Sequence, residues 1–259
     1  MKMKFGICTP SKNYEAAAKI GYDFIELPGT ELALMSAGEF AALRARVQET
    51  GLPVISLNAI FTPEQKILGP QPTPWAELCA FFGTMVRRAG LLGVRQFGIG
   101  GGFARDIPEG FDRAAAAAQY IAFVRLLSDM AQKAGIGVSI EYLRAAETNF
   151  ITDFDQAKAM HDAVDRANVG LLVDAYHSAF DVAPGNVLRA GARLWHCHVA
   201  CPEGRYWPRR EDGTDYAPFL RAIEQNGRPG RVSIEGNAPG EFEPAAAEAL
   251  AVLKAAARQ

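Results

Sequence analysis

The chain has 259 residues, 49% of them hydrophobic and 22% charged, which is enough apolar material for a sizeable buried core in one or two domains. Its net charge of -2 argues against a nucleic-acid binder driven by a basic surface, and no apolar run is long enough to span a bilayer. Four scattered cysteines (Cys8, Cys79, Cys197 and Cys201) do not form a disulfide framework, and the start of the chain lacks the long apolar core of a signal peptide, so a cytoplasmic protein with reduced thiols is expected.

Strand-like segments are read, in chain order, at 4–8, 23–27, 54–58, 96–99, 137–141, 170–174, 194–199 and 231–235. Helical segments follow them at 14–19, 37–49, 75–92, 111–133, 155–165, 187–190, 216–225 and 244–257, the sixth being cut short by Pro184 and Gly185. Strand alternates with helix eight times without a linker, and several helices end on a glycine suited to a left-handed cap (Gly21, Gly51, Gly135). This predicts a (β/α)8 barrel, with residues 1–259 as one domain. A doubly wound sheet is the rival architecture. However, Gly98-Ile99-Gly100-Gly101-Gly102 lacks the G-x-G-x-x-G spacing and follows the fourth strand, so it is read as a tight turn at the barrel rim.

Four predicted strands end near a side chain that binds metals well: Glu141, Asp174, His198 and Glu235. Side chains alternate across a strand, so Glu141 shares its face with Ser139 and Gly137, and Glu235 shares its face with Ser233. By the same parity, His198 points inward with His196 one layer deeper, while Cys197 and Trp195 point outward. All four candidates are thus expected inward, at the last position of their strands, where barrel active sites are built. Three carboxylates in one barrel mouth repel one another and call for a cation. Oxygen ligands with one imidazole suit one divalent ion, Mn2+ or Mg2+ first, with Co2+, Fe2+ or Zn2+ as alternatives. A zinc site from His196, Cys197, His198 and Cys201 is disfavoured because Cys197 lies on the other face of the strand.

The stretches Glu141-Tyr-Leu-Arg-Ala-Ala-Glu147-Thr-Asn149-Phe, Val173-Asp174-Ala-Tyr-His177, His196-Cys-His198-Val-Ala and Ser233-Ile-Glu235 resemble a known group. It is the sugar isomerase/epimerase group of xylose isomerase-like TIM barrels, which includes ketose 3-epimerases and hydroxypyruvate isomerase. The resemblance is strongest between residues 135 and 235. It implies that Glu141, Asp174, His198 and Glu235 are metal ligands and that the two glutamates are also the acid and base. It further implies that Glu147, His177 and Arg205 contact substrate hydroxyls. Glu147 and Arg205 are expected to pair, with His177 donating to a substrate oxygen. Two departures stand out: Cys201 replaces an acidic residue, and Arg205-Tyr206-Trp207-Pro208-Arg209 replaces an Arg followed by Pro-Gly. The stretch 205–210 is read either as a phosphate-binding loop or as a solvated one.

The expected activity is a metal-dependent isomerase or epimerase that handles a small carbohydrate through an enediolate. The expected assembly is a homodimer or homotetramer, with neither nucleic acid nor membrane as partner. A lyase or dehydratase is the nearest alternative, since proton abstraction beside a carbonyl also begins a β-elimination. A non-catalytic binding relative is a further one. Apurinic endonucleases share the resemblance, with a histidine-rich three-zinc cluster. This chain has four histidines (His161, His177, His196 and His198), none near its second or third predicted strand.

Overall fold

A computed structural model describes residues 3–228 and 230–259. Eight strands pair in parallel and in sequential order into a closed barrel: β1 (Lys4–Cys8), β2 (Phe24–Pro28), β3 (Val54–Asn58), β4 (Gln96–Ile99), β5 (Gly137–Glu141), β6 (Val169–Asp174), β7 (Leu194–Val199) and β8 (Arg231–Ile234). Among the described residues, eight helices cover the outside: α1 (Tyr14–Ile20), α3 (Ala37–Thr50), α4 (Trp75–Leu92), α6 (Arg113–Gln132), α7 (Phe154–Val164), α9 (Ala183–Ala190), α10 (Ala217–Asn226) and α11 (Phe242–Ala256). Shorter helices occupy the connections: α2 (Gly29–Leu34), α5 (Gly102–Arg105) and α8 (Ala175–Ser178).

The expected barrel is therefore the observed one, with differences at element ends. Helix α9 begins four residues before the predicted 187–190, because Pro184 falls in its first turn, where no backbone N–H is needed. The glycine run does form a rim turn: Gly101 is left-handed (φ 67°), and Gly102 opens the single turn of α5. Outward-facing Ile7, Ile25, Leu57, Phe97, Val138, Ile140, Val173, Cys197, Val232 and Ile234 are buried beneath the helices and supply the hydrophobic core.

The interior is less ordinary. At the lower end, the Phe24 ring and the Trp195 indole fill the space that side chains at Gly6, Gly137 and Gly170 would need. A Cβ at Gly137 would stand 2.1 Å from the indole, and one at Gly6 2.1 Å from the Phe24 ring. The expectation that Trp195 faces the helices is thus overturned. The β6–β7 register passes from Leu171↔Leu194 to Leu172↔His196, so Trp195 is the extra residue of a bulge, and alternation restarts after it. A second register shift passes from Ile25↔Val54 to Glu26↔Ser56, so Ile55 of β3 is the extra residue and Ser56 faces inward beside Glu26, which regular alternation along β2 already places in the barrel.

Above this plug lies a polar layer where barrels ordinarily pack branched aliphatics. Ser139 Oγ donates to Gln96 Oε1 (2.5 Å), Gln96 Nε2 to Ser56 Oγ (2.6 Å), and Ser56 Oγ to Glu26 Oε1 (2.9 Å). His196 Nε2 closes the run at 2.7 Å from Glu26 Oε2.

Because the indole occupies the space in front of Gly137, Gly137→Val should overpack the barrel base. The expected cost is about 1–3 kcal/mol of stability, measured by urea unfolding. A variant as stable as the parent would show that the indole does not sit in the barrel.

Candidate metal centre and active site

All four strand-end candidates converge at the upper mouth. One ligand atom each from Glu141, Asp174, His198 and Glu235 lie within 4.8 Å of one another. Glu141 and Asp174 are the last residues of β5 and β6, as expected. His198 is the penultimate residue of β7, and Glu235 lies one residue past β8, so the expectation of a shared last position fails for these two. The ladder nonetheless continues to Glu235, whose N–H donates to Val199 O (3.1 Å) and carries it inward.

Each side chain has its own support. Asp174 caps α8, its Oδ1 accepting from Tyr176 N (2.9 Å), which leaves Oδ2 facing the site. Glu235 Oε1 accepts from Asn58 Nδ2 (2.7 Å) and its Oε2 from Arg205 Nη2 (2.6 Å). Behind Glu141, the fully buried Arg105 donates to Glu141 O (2.8 Å) and Ile99 O (3.2 Å), tying the ends of β5 and β4 together. A Cβ at Gly100 would stand 2.6 Å from Glu141 Oε2, so a side chain there would displace the carboxylate from its present position.

The atoms left over define what the site can hold. Glu141 Oε1 and His198 Nδ1 are buried without a hydrogen-bond partner, 3.5 Å apart. His198 Nδ1 is also 3.3 Å from Glu235 Oε2. Three carboxylates and one imidazole, mostly hard oxygen donors and with Glu141 Oε1 and His198 Nδ1 unpartnered, fit a divalent cation. Electrostatics agrees with a demand for positive charge. Burial raises the Asp174 carboxyl above its ordinary value. His198, against the opposing effect of burial, is raised by Glu235 and Glu26. The Glu235 carboxyl is held below the carboxylate range by His198 and Arg205, again against burial.

Glu147, His177 and Arg205 stand at the same cavity, but the expected Glu147–Arg205 pair does not form. His177 lies between them. Its Nδ1 is 3.0 Å from Glu147 Oε2, and its Nε2 accepts from Arg205 Nη2 (3.3 Å), while Glu147 also faces Arg144 Nε at 3.6 Å. Arg205 is drawn instead to Glu235, because that carboxylate is closer and more buried, and its guanidinium lies 5.1 Å from the Tyr176 ring. Cys201 is buried, and its N–H donates to Tyr206 O (2.7 Å) in the loop that carries Arg205, so it shapes that loop. Among the described residues, the group of His196, Cys197, His198 and Cys201 does not assemble, whereas Cys8, Glu26 and His198 do come together. Asn58 and Arg105 carried no signal, since their partners are distant in the chain.

The cavity has a volume of about 400 Å3, with Gly98, Gly100–Phe103 and Leu143 opposing the charged residues. Beyond it, Asp212 organises the loop that follows Arg205, accepting from Arg209 N (2.8 Å), Thr214 N (2.8 Å) and Tyr216 OH (2.6 Å).

Comparison with known proteins places this architecture. The sequence profile described as a xylose isomerase-like TIM barrel matches residues 14–256. The chain belongs to that family. It is similar to a D-psicose 3-epimerase of Ruminiclostridium cellulolyticum, 24% identical over 191 residues, covering 71% of this chain and 64% of the relative. An L-ribulose 3-epimerase of a Methylomonas species is 28% identical over 139 residues, 53% of this chain and 48% of that one. The matched segments thus span less than two thirds of these relatives. Among solved structures, a 3-keto-D-glucoside 4-epimerase from E. coli superposes with a TM-score of 0.84 at 18% identity, covering 98% of this chain and all of the other, which establishes a shared fold. Among the described residues, no helix is long and apolar enough to cross a membrane.

Burial works against ionisation of Asp212, but the backbone N–H groups of Arg209 and Thr214 and the Tyr216 hydroxyl hold its carboxyl below the ordinary carboxylate value. A depressed folded-state pKa stabilises above the unfolded value of about 4 and is lost as pH falls below it. Asp212→Ala should therefore cost about 1–2 kcal/mol near pH 7, measured by denaturant unfolding, with the gap from the parent narrowing below about pH 4. A gap that is independent of pH would contradict this account.

Proposed function

We propose that this protein is a divalent-metal-dependent isomerase or epimerase of a small keto-sugar, with Glu141 and Glu235 as the proton carriers. The observation that carries the reading is the convergence of four ligand atoms within 4.8 Å, three of whose residues, Glu141, His198 and Glu235, line one cavity. The similarity to D-psicose and L-ribulose 3-epimerases supports it.

In this reading Glu141, Asp174, His198 and Glu235 hold one ion, Mn2+ or Mg2+ by preference for hard oxygen donors. Such an ion supplies Lewis-acid polarisation of a substrate carbonyl and offsets the negative charge of an enediolate. The chain does the rest. Glu141 and Glu235 come from β5 and β8, three strands apart around the barrel, so they reach a bound sugar from different sides. One takes the proton from the carbon beside the carbonyl, and the other returns a proton. Return to the opposite face of the same carbon inverts it, whereas return to the neighbouring carbon moves the carbonyl. Asn58 and Arg205 keep Glu235 ionised and aimed, as a general base requires. Glu147, His177 and Arg205 bind the sugar's hydroxyls, and the apolar wall at Phe103 and Leu143 limits water beside them. The backbone in the left-handed region at Arg205 (φ 52°) is held by Asn237 N donating to Arg205 O (2.8 Å), so the guanidinium is placed by the fold.

Glu141→Gln and Glu235→Gln should each lower turnover of D-psicose, D-fructose or L-ribulose by about 10²-fold or more while leaving the circular dichroism unchanged. Unchanged turnover would sink the assignment. In deuterated water, product should carry solvent deuterium on carbon. Epimerised product without deuterium would exclude proton abstraction, and new ultraviolet absorbance from loss of water would assign a dehydratase instead.

Elemental analysis gives an independent check on the ion. The purified protein should hold one equivalent of metal, and Asp174→Ala and His198→Ala should lose it. Stoichiometric metal in both variants would overturn the proposed site.

A further inference from the structure

Beneath the cluster lies a fully buried carboxylate, Glu26, to which the reaction just described gives no part. Its neighbours are His196 Nε2 at 2.7 Å, His198 Nε2 at 3.2 Å and Ser56 Oγ at 2.9 Å. An ionised carboxylate can only accept hydrogen bonds, so every one of these partners must donate.

The polar layer leaves no freedom to reverse that direction. Ser139 donates to Gln96, and the Gln96 amide donates to Ser56 Oγ at 2.6 Å. The one proton of the Ser56 hydroxyl is therefore free for Glu26. On the opposite side, His198 must place a proton on Nε2 to meet the same carboxylate. A neutral imidazole with its proton on Nε2 has its lone pair on Nδ1. That is the atom buried without a hydrogen-bond partner, 3.5 Å from Glu141 Oε1 and 3.3 Å from Glu235 Oε2.

Resting on the metal-site reading above, we propose that Glu26 is a positioning residue that fixes the tautomer and orientation of His198, so that Nδ1 is presented to the metal. Carboxylates that hold the far nitrogen of a ligand histidine typically contribute 10- to 100-fold to metal affinity. Glu26 differs from an ordinary partner in serving two imidazoles at once, which gives His196, one layer below, a structural part. The imidazole rings of His196 and His198 meet edge to face with centroids 5.0 Å apart, so each limits the other's rotation about the shared carboxylate.

A competing arrangement uses the same atoms. Cys8, Glu26 and His198 also bring one ligand atom each within 4.8 Å of one another, and an ion held there would make Glu26 a ligand. The proton that His198 Nε2 gives to Glu26 excludes that nitrogen from such a site.

The test is titration of metal-free protein with Mn2+, following the free ion by electron paramagnetic resonance. Glu26→Gln keeps the shape but turns an N–H donor toward the imidazoles. It should weaken Mn2+ binding about 10- to 100-fold with unchanged circular dichroism. Ser56→Ala removes only a neutral donor and should change the Kd by less than about 3-fold. Wild-type affinity in Glu26→Gln would overturn the positioning role and leave the metal site standing. So would a second equivalent of Mn2+ in the wild type that Cys8→Ser abolishes. A wild type that binds no Mn2+ would overturn the metal reading and this proposal together. Nitrogen-15 spectra of the Mg2+-loaded wild type provide a check that does not depend on any variant folding. The His198 proton is expected on Nε2, and finding it on Nδ1 would overturn the proposal.

Discussion

A cluster of carboxylates in the mouth of a closed barrel is first of all a charge problem. Glu141, Asp174 and Glu235 converge with His198 where little water reaches, and Asp174 and His198 are essentially inaccessible. Removing such groups from water costs several kcal/mol per ion unless opposite charge and hydrogen bonds offset it. Much of the surrounding structure answers that demand. Arg205 and Asn58 neutralise and hold Glu235, the α8 N-terminus takes one oxygen of Asp174, and Arg105 locks the strand ends beneath Glu141. What these groups leave unsatisfied, Glu141 Oε1 and His198 Nδ1, is the part of the demand that suits a cation.

The same constraint reaches down into the barrel. A purely aliphatic middle layer would leave His198 Nε2 without an acceptor. Here Glu26, His196, Ser56, Gln96 and Ser139 form one directed run of hydrogen bonds, and its polarity is set by the acceptor-only carboxylate at its end. Below it, Trp195 and Phe24 seal the lower end against glycines. The bulges at Trp195 and at Ile55 make both layers fit, because each changes which residues face inward without altering the strand order.

Arginine 205 shows how the loops complete the mouth. The segment from Cys201 to Trp207 folds back on Asn237, through Cys201 N to Tyr206 O, Asn237 N to Arg205 O and Trp207 N to Asn237 O. Gly236 is obligatory at the crossing, since a Cβ there would stand 2.2 Å from Arg205 O. The guanidinium is thereby committed to Glu235, Asp174 and His177. Through Arg205, the loop that reads either as a phosphate-binding or as a solvated one takes part in the charge balance around the carboxylates.

The barrel itself was legible in the sequence, because eight alternations of strand and helix and the glycine caps are local signals carried by neighbouring residues. Glu141, Asp174, His198 and Glu235 were legible too, since strand parity alone sends them to one face, and their separation in sequence does not matter once the sheet closes. Trp195 and the Glu147–Arg205 pair were misjudged for a shared reason. A bulge resets parity at a place that composition does not mark, and an ion pair is chosen by competition among charges that only meet in three dimensions. Glu26, Asn58 and Arg105 belong to the same class. Each acts through a partner at least 36 residues away, from Glu141 for Arg105 to Glu235 for Asn58, and the strength of those contacts comes from burial that no local pattern encodes.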